Sequence, residues 1–387
     1  MTKQLLVSCF IVVTLVTGCT KKETGGATPA AEWASAPTIL VGEYGSMTGG
    51  EATFGQSTHQ GIELAFKEIN AAGGVNGKKI ELKSFDDEGK PENAATAVTK
   101  LITQDHVIAL LGEVASSRSL AAAPIAQQNK IPMVSPSSTN PKVTEVGDYI
   151  FRVCFIDPFQ GTVMAKFAHD NLKLKRVAIL RDVKSDYSVG LANFFKETFT
   201  KLGGEIAGEE TYVSGDIDFK AQLTSIKSAK PDGIFIPGYY TEVGLIARQA
   251  RGLGIKAPLM GGDGWDSEQL FQIGKDAVVG SYFSNHYTTD SDDPHARNFI
   301  AAFKKEYNRV PDGLGAMGYD AAKVLADAMG RAKAITPADI RDALASTKDY
   351  VGVTGKITIN DQRNATKSAV VVKVAGDHNT FVTTINP

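Results

Sequence analysis

From Ile39 to Gly264 the sequence alternates between short apolar runs of strand character and amphipathic runs at helical spacing. "TILVGEYG" reads as a strand. "THQGIELAFKEINAAGG" follows, with Ile62, Ala65, Phe66 and Ile69 at helical spacing and Gly73-Gly74 as a stop. "KKIELKSFDDEG", "VIALLGEV" and "IPMVSP" read as further strands, separated by the helical runs "ENAATAVTKLITQ" and "SRSLAAAPIAQQNK". Strands alternating with helices of this length imply right-handed βαβ crossovers and a parallel sheet. The plan then repeats: "KRVAILRD", "EIAGEETYV", "DGIFIPGYY" and "APLMGGDG" as strands, with helices between them. The expected fold is α/β, with two doubly wound parallel-sheet lobes. Helices around "HARNFIAAFKKEY", "YDAAKVLADAMGRA" and "TPADIRDALAS" follow, the last with Thr336 as a cap and Pro337 at the first helical position. "TGKITI" and "SAVVVKVAGDHNTFVTTI" read as closing strands.

The chain's 387 residues, 43% of them hydrophobic, suffice for two cores. A net charge of −2 with interspersed signs argues against nucleic-acid binding. The N-terminus differs from the rest. "MTKQLLVSCFIVVTLVTGC" has one lysine, an apolar run too short to span a bilayer, and an ending that resembles a bacterial lipobox. The expectation is a lipoprotein signal peptide over residues 1–18 and thioether lipidation of Cys19. Residues 19–37 are polar, small and Pro-containing, and read as a flexible tether with a reach of roughly 25 Å. Cys9 leaves with the signal and Cys19 carries lipid, so Cys154 has no intramolecular partner and reads as a small buried group. The mature protein is expected outside the cytoplasm, in the periplasm or at the cell surface, held to the membrane through lipid alone.

Several chemistries find no motif. None of the six histidines forms an HxxxH pair or sits beside cysteine at metal-ligand spacing, and no GxSxG elbow occurs. No metal, cofactor or catalytic residue is expected, and the chain is not read as an enzyme. "GVNGKK" lacks the first glycine and final Ser/Thr of a phosphate loop. "GLGIKA" fits a dinucleotide fingerprint but lies between a helix and a strand, the reverse of the required order. "GLGAMG" opens a helix but follows no hydrophobic strand, so close helix packing accounts for its glycines.

Ligands of open α/β sheets bind beyond the carboxyl ends of the strands. In the first lobe those ends carry Ser116, Ser117, Ser138 and Thr139, neutral donors beside helix starts, which suit a carboxylate. In the second lobe they carry Asp263 and the phenols of Tyr187, Tyr239 and Tyr240, which suit an ammonium group. One anion site and one cation site fit a zwitterion held between two closing lobes. Ser135 and Ser137 read as turn residues.

"GSMTGGEATFG", "GIELAFKEINAAGGVNGKKIELKSFDDEGKPENAATAVTKLI", "SPSSTNP", "PGYYTEVGLIARQARGLG", "GGDGWDS" and "MGYDAAKVLADAM" carry a resemblance. From about Thr38 to the C-terminus the chain resembles the type I periplasmic-binding proteins of bacterial ABC transporters, in the leucine/isoleucine/valine-binding group. The resemblance implies that the Ser116 hydroxyl holds the ligand α-carboxylate. It implies that Thr139 acts through its N–H and hydroxyl, and Ser138 through its backbone carbonyl toward the ammonium. Asp263 takes the acidic ammonium-binding position, where the family has Glu, and Tyr187 closes from the second lobe. Phe54, Val114, Ala115, Tyr239 and Leu314 align with positions lining the side-chain pocket, and Trp265 is placed to narrow it. Three crossovers, near Ile156–Pro158, Asn285–His286 and Lys367–Ser368, are implied hinges. They divide the chain into lobe 1 (38–157 and 286–367) and lobe 2 (158–285 and 368–387).

The resulting reading is an extracytoplasmic substrate-binding protein of an ABC importer. It captures a small amino acid of branched-chain type and, as a monomer, delivers it to a permease with ATPase subunits. The nearest alternative keeps the fold and binds a short amide, urea, or an aromatic or other carboxylic acid. A dinucleotide-dependent enzyme and a sensor ectodomain are the more distant ones.

Overall fold

The computed structural model describes Trp33 and residues 36–387. The signal segment and Cys19 lie outside the described residues. One residue of the stretch read as a tether does not behave as one. Trp33 is half-buried on the first-lobe core, and its indole N–H donates to the His106 carbonyl at 3.0 Å. An indole buries apolar area while its N–H finds a partner, so a single Trp can pin an otherwise polar segment.

The first sheet has the order β2-β1-β3-β4-β5, all parallel. Its strands are β1 (Thr38–Gly45), β2 (Lys79–Asp86), β3 (Ala109–Leu111), β4 (Met133–Ser135) and β5 (Ile150–Arg152). β5, inside "YIFRVCFID", is a strand that the alternation does not reveal. Helices α1 (Ala52–Ala71), α2 (Pro91–Thr103) and α3 (Ser116–Gln128) connect the first four strands, and short α4 (Lys142–Glu145) precedes β5. Successive side chains of a strand point to opposite faces. Accordingly Ala109, Leu111 and Val134 enter one core, and Leu110, Met133 and Ile150 the other. With both faces covered, these strands read as continuous apolar runs rather than alternating ones.

The chain then passes to the second sheet. It holds β6 (Arg176–Asp182), β7 (Glu205–Tyr212), β8 (Gly233–Phe235), β9 (Leu259–Gly261) and β10 (Tyr282–Asn285), in the order β7-β6-β8-β9-β10. This repeats the first sheet's topology. Helices α5 (Asp157–Lys166), α6 (Asp186–Lys201), α7 (Lys220–Ala229), α8 (Tyr240–Gly252) and α9 (Glu268–Gly274) cover it. The chain returns to the first lobe as α10 (Pro294–Tyr307), α11 (Gly313–Arg331), α12 (Pro337–Ala345) and a small antiparallel sheet of β11 (Tyr350–Gly352), β12 (Gly355–Ile359) and β13 (Ala365–Thr366). It ends in the second sheet as antiparallel β14 (Ala369–Val374) and β15 (Asn379–Ile385).

The "GLGAMG" glycines serve helix packing. A Cβ on Gly61 of α1 would lie 2.0 Å from the Gly315 carbonyl of α11, and one on Gly318 would lie 2.4 Å from that of Thr58. Such contacts are possible only between bare backbones. At α12, the Thr336 side chain accepts from Asp339 N–H at 3.2 Å, the cap expected from the sequence.

Candidate functional site

Each sheet reverses strand order at its centre, at β1/β3 and at β6/β8. The loops after these strands meet between the lobes, at the topological switch points where α/β folds take ligands. They enclose a cavity with about 230 Å³ of free space, lined by Phe54, Val114, Ser116, Ser137, Tyr187, Tyr239, Asp263, Gly264 and Leu314. Seven of the residues picked from the sequence are therefore brought together. Ser137, read as turn chemistry, also lines the cavity; Ala115, Ser138 and Thr139 are buried outside its lining. The lobes touch around it. Ser117 Oγ donates to Asp186 Oδ2 and accepts from Asp186 N–H, both at 3.0 Å. Asn140 Nδ2 donates to the Asp186 carbonyl at 2.8 Å, and Thr241 Oγ1 to that of Gly50 at 2.7 Å.

The first-lobe wall is shaped by charge held one layer back. Glu113, at the end of β3, is fully buried. Its Oε1 accepts from Ser46 N–H at 3.1 Å and Ser46 Oγ at 2.8 Å, and its Oε2 from Ala115 N–H. Arg118 Nε lies 3.2 Å from Glu113, and its Nη1 donates to Glu51 at 3.3 Å. Burial opposes the Arg118 charge, yet Glu113 and its neighbours hold its pKa above the ordinary value. A paired, hydrogen-bonded buried charge is the form the interior tolerates. The network fixes the loop that presents Ser116 at the first position of α3. The Ser116 hydroxyl accepts from Asn140 N–H at 3.1 Å, so its own proton remains available to a ligand acceptor.

Aromatic rings close the sides. Tyr187 and Tyr239 stack with centroids 5.4 Å apart and 5° between planes, and Phe54 meets Tyr239 edge-on at 5.3 Å. Burial holds both phenols above their ordinary pKa, so they face the cavity neutral. Gly264 must be glycine: a Cβ there would lie 2.8 Å from Tyr239 Cδ1 and 2.9 Å from the Gly238 carbonyl. Its N–H donates to the Tyr187 hydroxyl at 3.2 Å.

Asp263 forms the opposite end. Gln160 Nε2 donates to its Oδ1 at 2.7 Å. His286 Nε2 lies 3.0 Å from its Oδ2, and Ser137 Oγ donates to that same oxygen at 3.3 Å. Asp157 sits behind: burial raises its pKa well above the usual carboxylate range, with Asp263 adding to the rise and Thr139 opposing it. Gln160 and His286 were not found from the sequence. Their partner lies 103 and 23 residues away, and no local pattern marks either.

Three expectations change. The Ser138 carbonyl points away from the cavity, accepting from Arg152 Nη1 and, at 3.4 Å, from Cys154 Sγ. Arg152 is wholly buried and must find acceptors, which the loop's carbonyls supply. The Ser138 hydroxyl likewise turns inward, to the carbonyls of Glu113 at 2.8 Å and Val114 at 3.0 Å. Trp265 does not narrow the pocket. It packs beneath the sheet on Gly261 and Phe283, its indole N–H donating to the Ile236 carbonyl at 2.9 Å.

Among the described residues no group of three or more His, Cys, Asp and Glu side chains converges as metal ligands would. The chain is 33% identical over 335 residues to the Leu/Ile/Val-binding protein BraC3 of Rhizobium johnstonii, covering 86% of this chain and 90% of that one. It is similar to two solved structures. One is the leucine-binding protein LivK of Thermotoga maritima, 43% identical with a TM-score of 0.87, covering 90% of this chain and 99% of that one. The other is LivJ of Streptococcus pneumoniae, a branched-chain amino acid transporter substrate-binding protein in complex with isoleucine. It is 36% identical with a TM-score of 0.86, covering 90% of this chain and 100% of that one. A family model described as periplasmic binding protein matches residues 38–379, and with two lobes of one topology meeting at a shared cavity, the chain belongs to the periplasmic binding protein family.

Proposed function

We propose that this chain is the capture component of an ABC importer and takes a small amino acid, of branched aliphatic type, between its lobes. The observation that carries this is the pairing of opposite chemistries across one small cavity. The Ser116 hydroxyl and the α3 N-terminus suit a carboxylate. Asp263 suits an ammonium group. Phe54, Val114, Leu314 and the tyrosines suit an apolar side chain. The similarity to a leucine-binding protein and to an isoleucine complex supports the same class.

In this reading lobe 1 comprises residues 38–157 and 286–367, and lobe 2 comprises 158–285 and 368–387. They rotate about the three crossovers as ligand enters. The monomeric, closed form docks on a permease whose ATPase subunits supply the energy, and the chain itself catalyses nothing. Proteins of this family are extracytoplasmic, and among the described residues no helix is long and apolar enough to cross a membrane. Lipid on Cys19 supplies the attachment. Thermal melting of the mature domain against a panel of L-amino acids tests the ligand class. A binder at 100 times its Kd adds about 2.7 kcal/mol of stability. No shift from any of them would overturn the reading. Loss of membrane association in C19S would test the anchor.

A further inference from the structure

The chain passes between the sheets at three places, and each passage carries a buried ionisable side chain: Asp157, His286 and Lys367. His286 reaches the ligand site directly, through Asp263 Oδ2 at 3.0 Å and Ser137 Oγ at 3.4 Å. Its ring lies on Phe155, with centroids 3.7 Å apart and 29° between planes, which leaves it little room to turn. Nδ1 is buried and has no hydrogen-bond partner among the described residues. The residue before it completes the arrangement. Asn285 Oδ1 accepts from His286 N–H at 2.7 Å, and its Nδ2 donates to Asp266 Oδ2 at 2.8 Å. Asp266 Oδ2 also accepts from Gly313 N–H, at the start of α11, at 2.6 Å. Two consecutive residues at the end of β10 thus grip both ends of the turn that carries Asp263.

We propose that His286 is a positioning residue of the ligand site. As neutral imidazole it aims Asp263 through Nε2–H; as imidazolium it acts as the counter-ion of Asp263 in the open protein. The imidazole proton and the ligand's ammonium group then exclude one another. The inference rests on the amino-acid reading above. A proton on Nδ1 in the closed form would be a buried donor with no acceptor, which favours the neutral ring. Burial lowers the His286 pKa from its ordinary value; Asp263 opposes this and Lys367 adds to it. Around them, Cys154 is pushed up to about 12 by burial, Asp157 is raised, and Gln160 and Ser137 are neutral. The sign follows. The closed form holds fewer protons on this ring than the open form, so the ring weakens binding as pH falls. One linked proton bounds that loss at about tenfold per pH unit. Glu51 and Glu242, acids on the two sides of the lobe contact whose pKa burial raises, act with the opposite sign where closure supplies that burial. Raw affinity therefore mixes the two effects.

His286→Gln separates them, because its amide N–H can occupy the place of Nε2 without titrating. Calorimetric titrations with L-leucine, L-isoleucine, L-valine and L-alanine would be run on wild type, H286Q and H286A from pH 5.5 to 7.5. The ratio of wild-type to H286Q Kd should rise several-fold on acidification, by no more than about tenfold per pH unit. H286A should bind more weakly than H286Q at pH 7.5. A flat ratio while wild type binds overturns the role of His286 and leaves the amino-acid reading standing; no binding by wild type to any of the four overturns both. Independently of either variant, ¹⁵N NMR of the wild-type imidazoles at pH 5.5 should show His286 charged in the free protein and neutral with Nε2–H in the leucine complex. An imidazolium persisting in that complex overturns the proposal.

Discussion

The two ends of the cavity use charge in opposite ways. At the first-lobe end the charges stand behind the wall: Glu113, Arg118 and Glu51 pair with one another, and the cavity sees a neutral hydroxyl, Ser116. At the second-lobe end the charge-bearing group faces the cavity, and neutral donors from Gln160 and Ser137, together with His286, stand around it. The difference reflects what each end must do without ligand. Hydroxyls and helix N–H groups are satisfied by water when the lobes part, so an anion site built from dipoles needs no counter-ion. A carboxylate held in a buried turn needs donors at all times. Charge at the first end therefore supports shape, and charge at the second end supports recognition. Substitutions at the two ends should separate stability from binding.

The largest effect is expected behind the first wall. Glu113→Ala removes the acceptor of the Ser46 and Ala115 N–H groups and leaves Arg118 with Glu51 as its ion-pair partner and the Gly89 carbonyl as a further acceptor. Breaking a buried pair from one side costs about 3–5 kcal/mol. Urea unfolding should show a loss of that size; a loss under about 1 kcal/mol would mean that the loop keeps its shape without the charge. Asp263→Ala should come next and in a different observable. Truncating one partner of a buried, hydrogen-bonded charge pair costs about 2–5 kcal/mol of binding. Calorimetry should show L-leucine affinity falling by more than about thirtyfold, with little change in the unliganded melting midpoint. Retained affinity would mean that Asp263 does not hold the L-leucine ammonium group and would erase the distinction between the two ends.

The contrast also marks how far the sequence could be read. Alternating strand and helix patterns locate both sheets, and the rule that ligand groups follow strands picks Ser116, Tyr187, Tyr239 and Asp263, which line one cavity. Those residues sit where the local chain path alone places them. The supporting residues are different. Gln160 lies in α5 and His286 just after β10, and each earns its position from a partner remote in sequence. β5 is no shorter than β3 or β4; it escaped because only the four-residue α4, and no amphipathic helical run, separates it from β4. The orientation of Ser138 depended on Arg152, a buried guanidinium fourteen residues on that takes its carbonyl. Side-chain direction within a loop is set by such tertiary demands.

A third substitution addresses the lobe contact rather than either end. Ser117→Ala removes a reciprocal pair of hydrogen bonds with Asp186, at 3.0 Å each, from a half-buried place between the lobes. A net loss of about 1 kcal/mol, or roughly fivefold in L-leucine affinity, is expected, with urea stability of the unliganded protein nearly unchanged. An equal loss in both measurements would mean that the contact belongs to the fold rather than to closure.

The smallest effect is expected from Ser137→Ala, and it bears most directly on the second end. Ser137 looks from the sequence like a turn residue, yet it lines the cavity. Its hydroxyl stands 3.3 Å from Asp263 Oδ2 and 3.4 Å from His286 Nε2, both long for O–H and N–H donors. Bonds of that length are worth little, and Gln160 and His286 remain on the carboxylate when the hydroxyl is gone. The expected change in L-leucine affinity is therefore threefold or less, about 0.6 kcal/mol. A loss approaching that of Asp263→Ala would instead make the Ser137 hydroxyl a ligand contact in its own right. The second end would then resemble the first, with a neutral hydroxyl sharing the work of recognition.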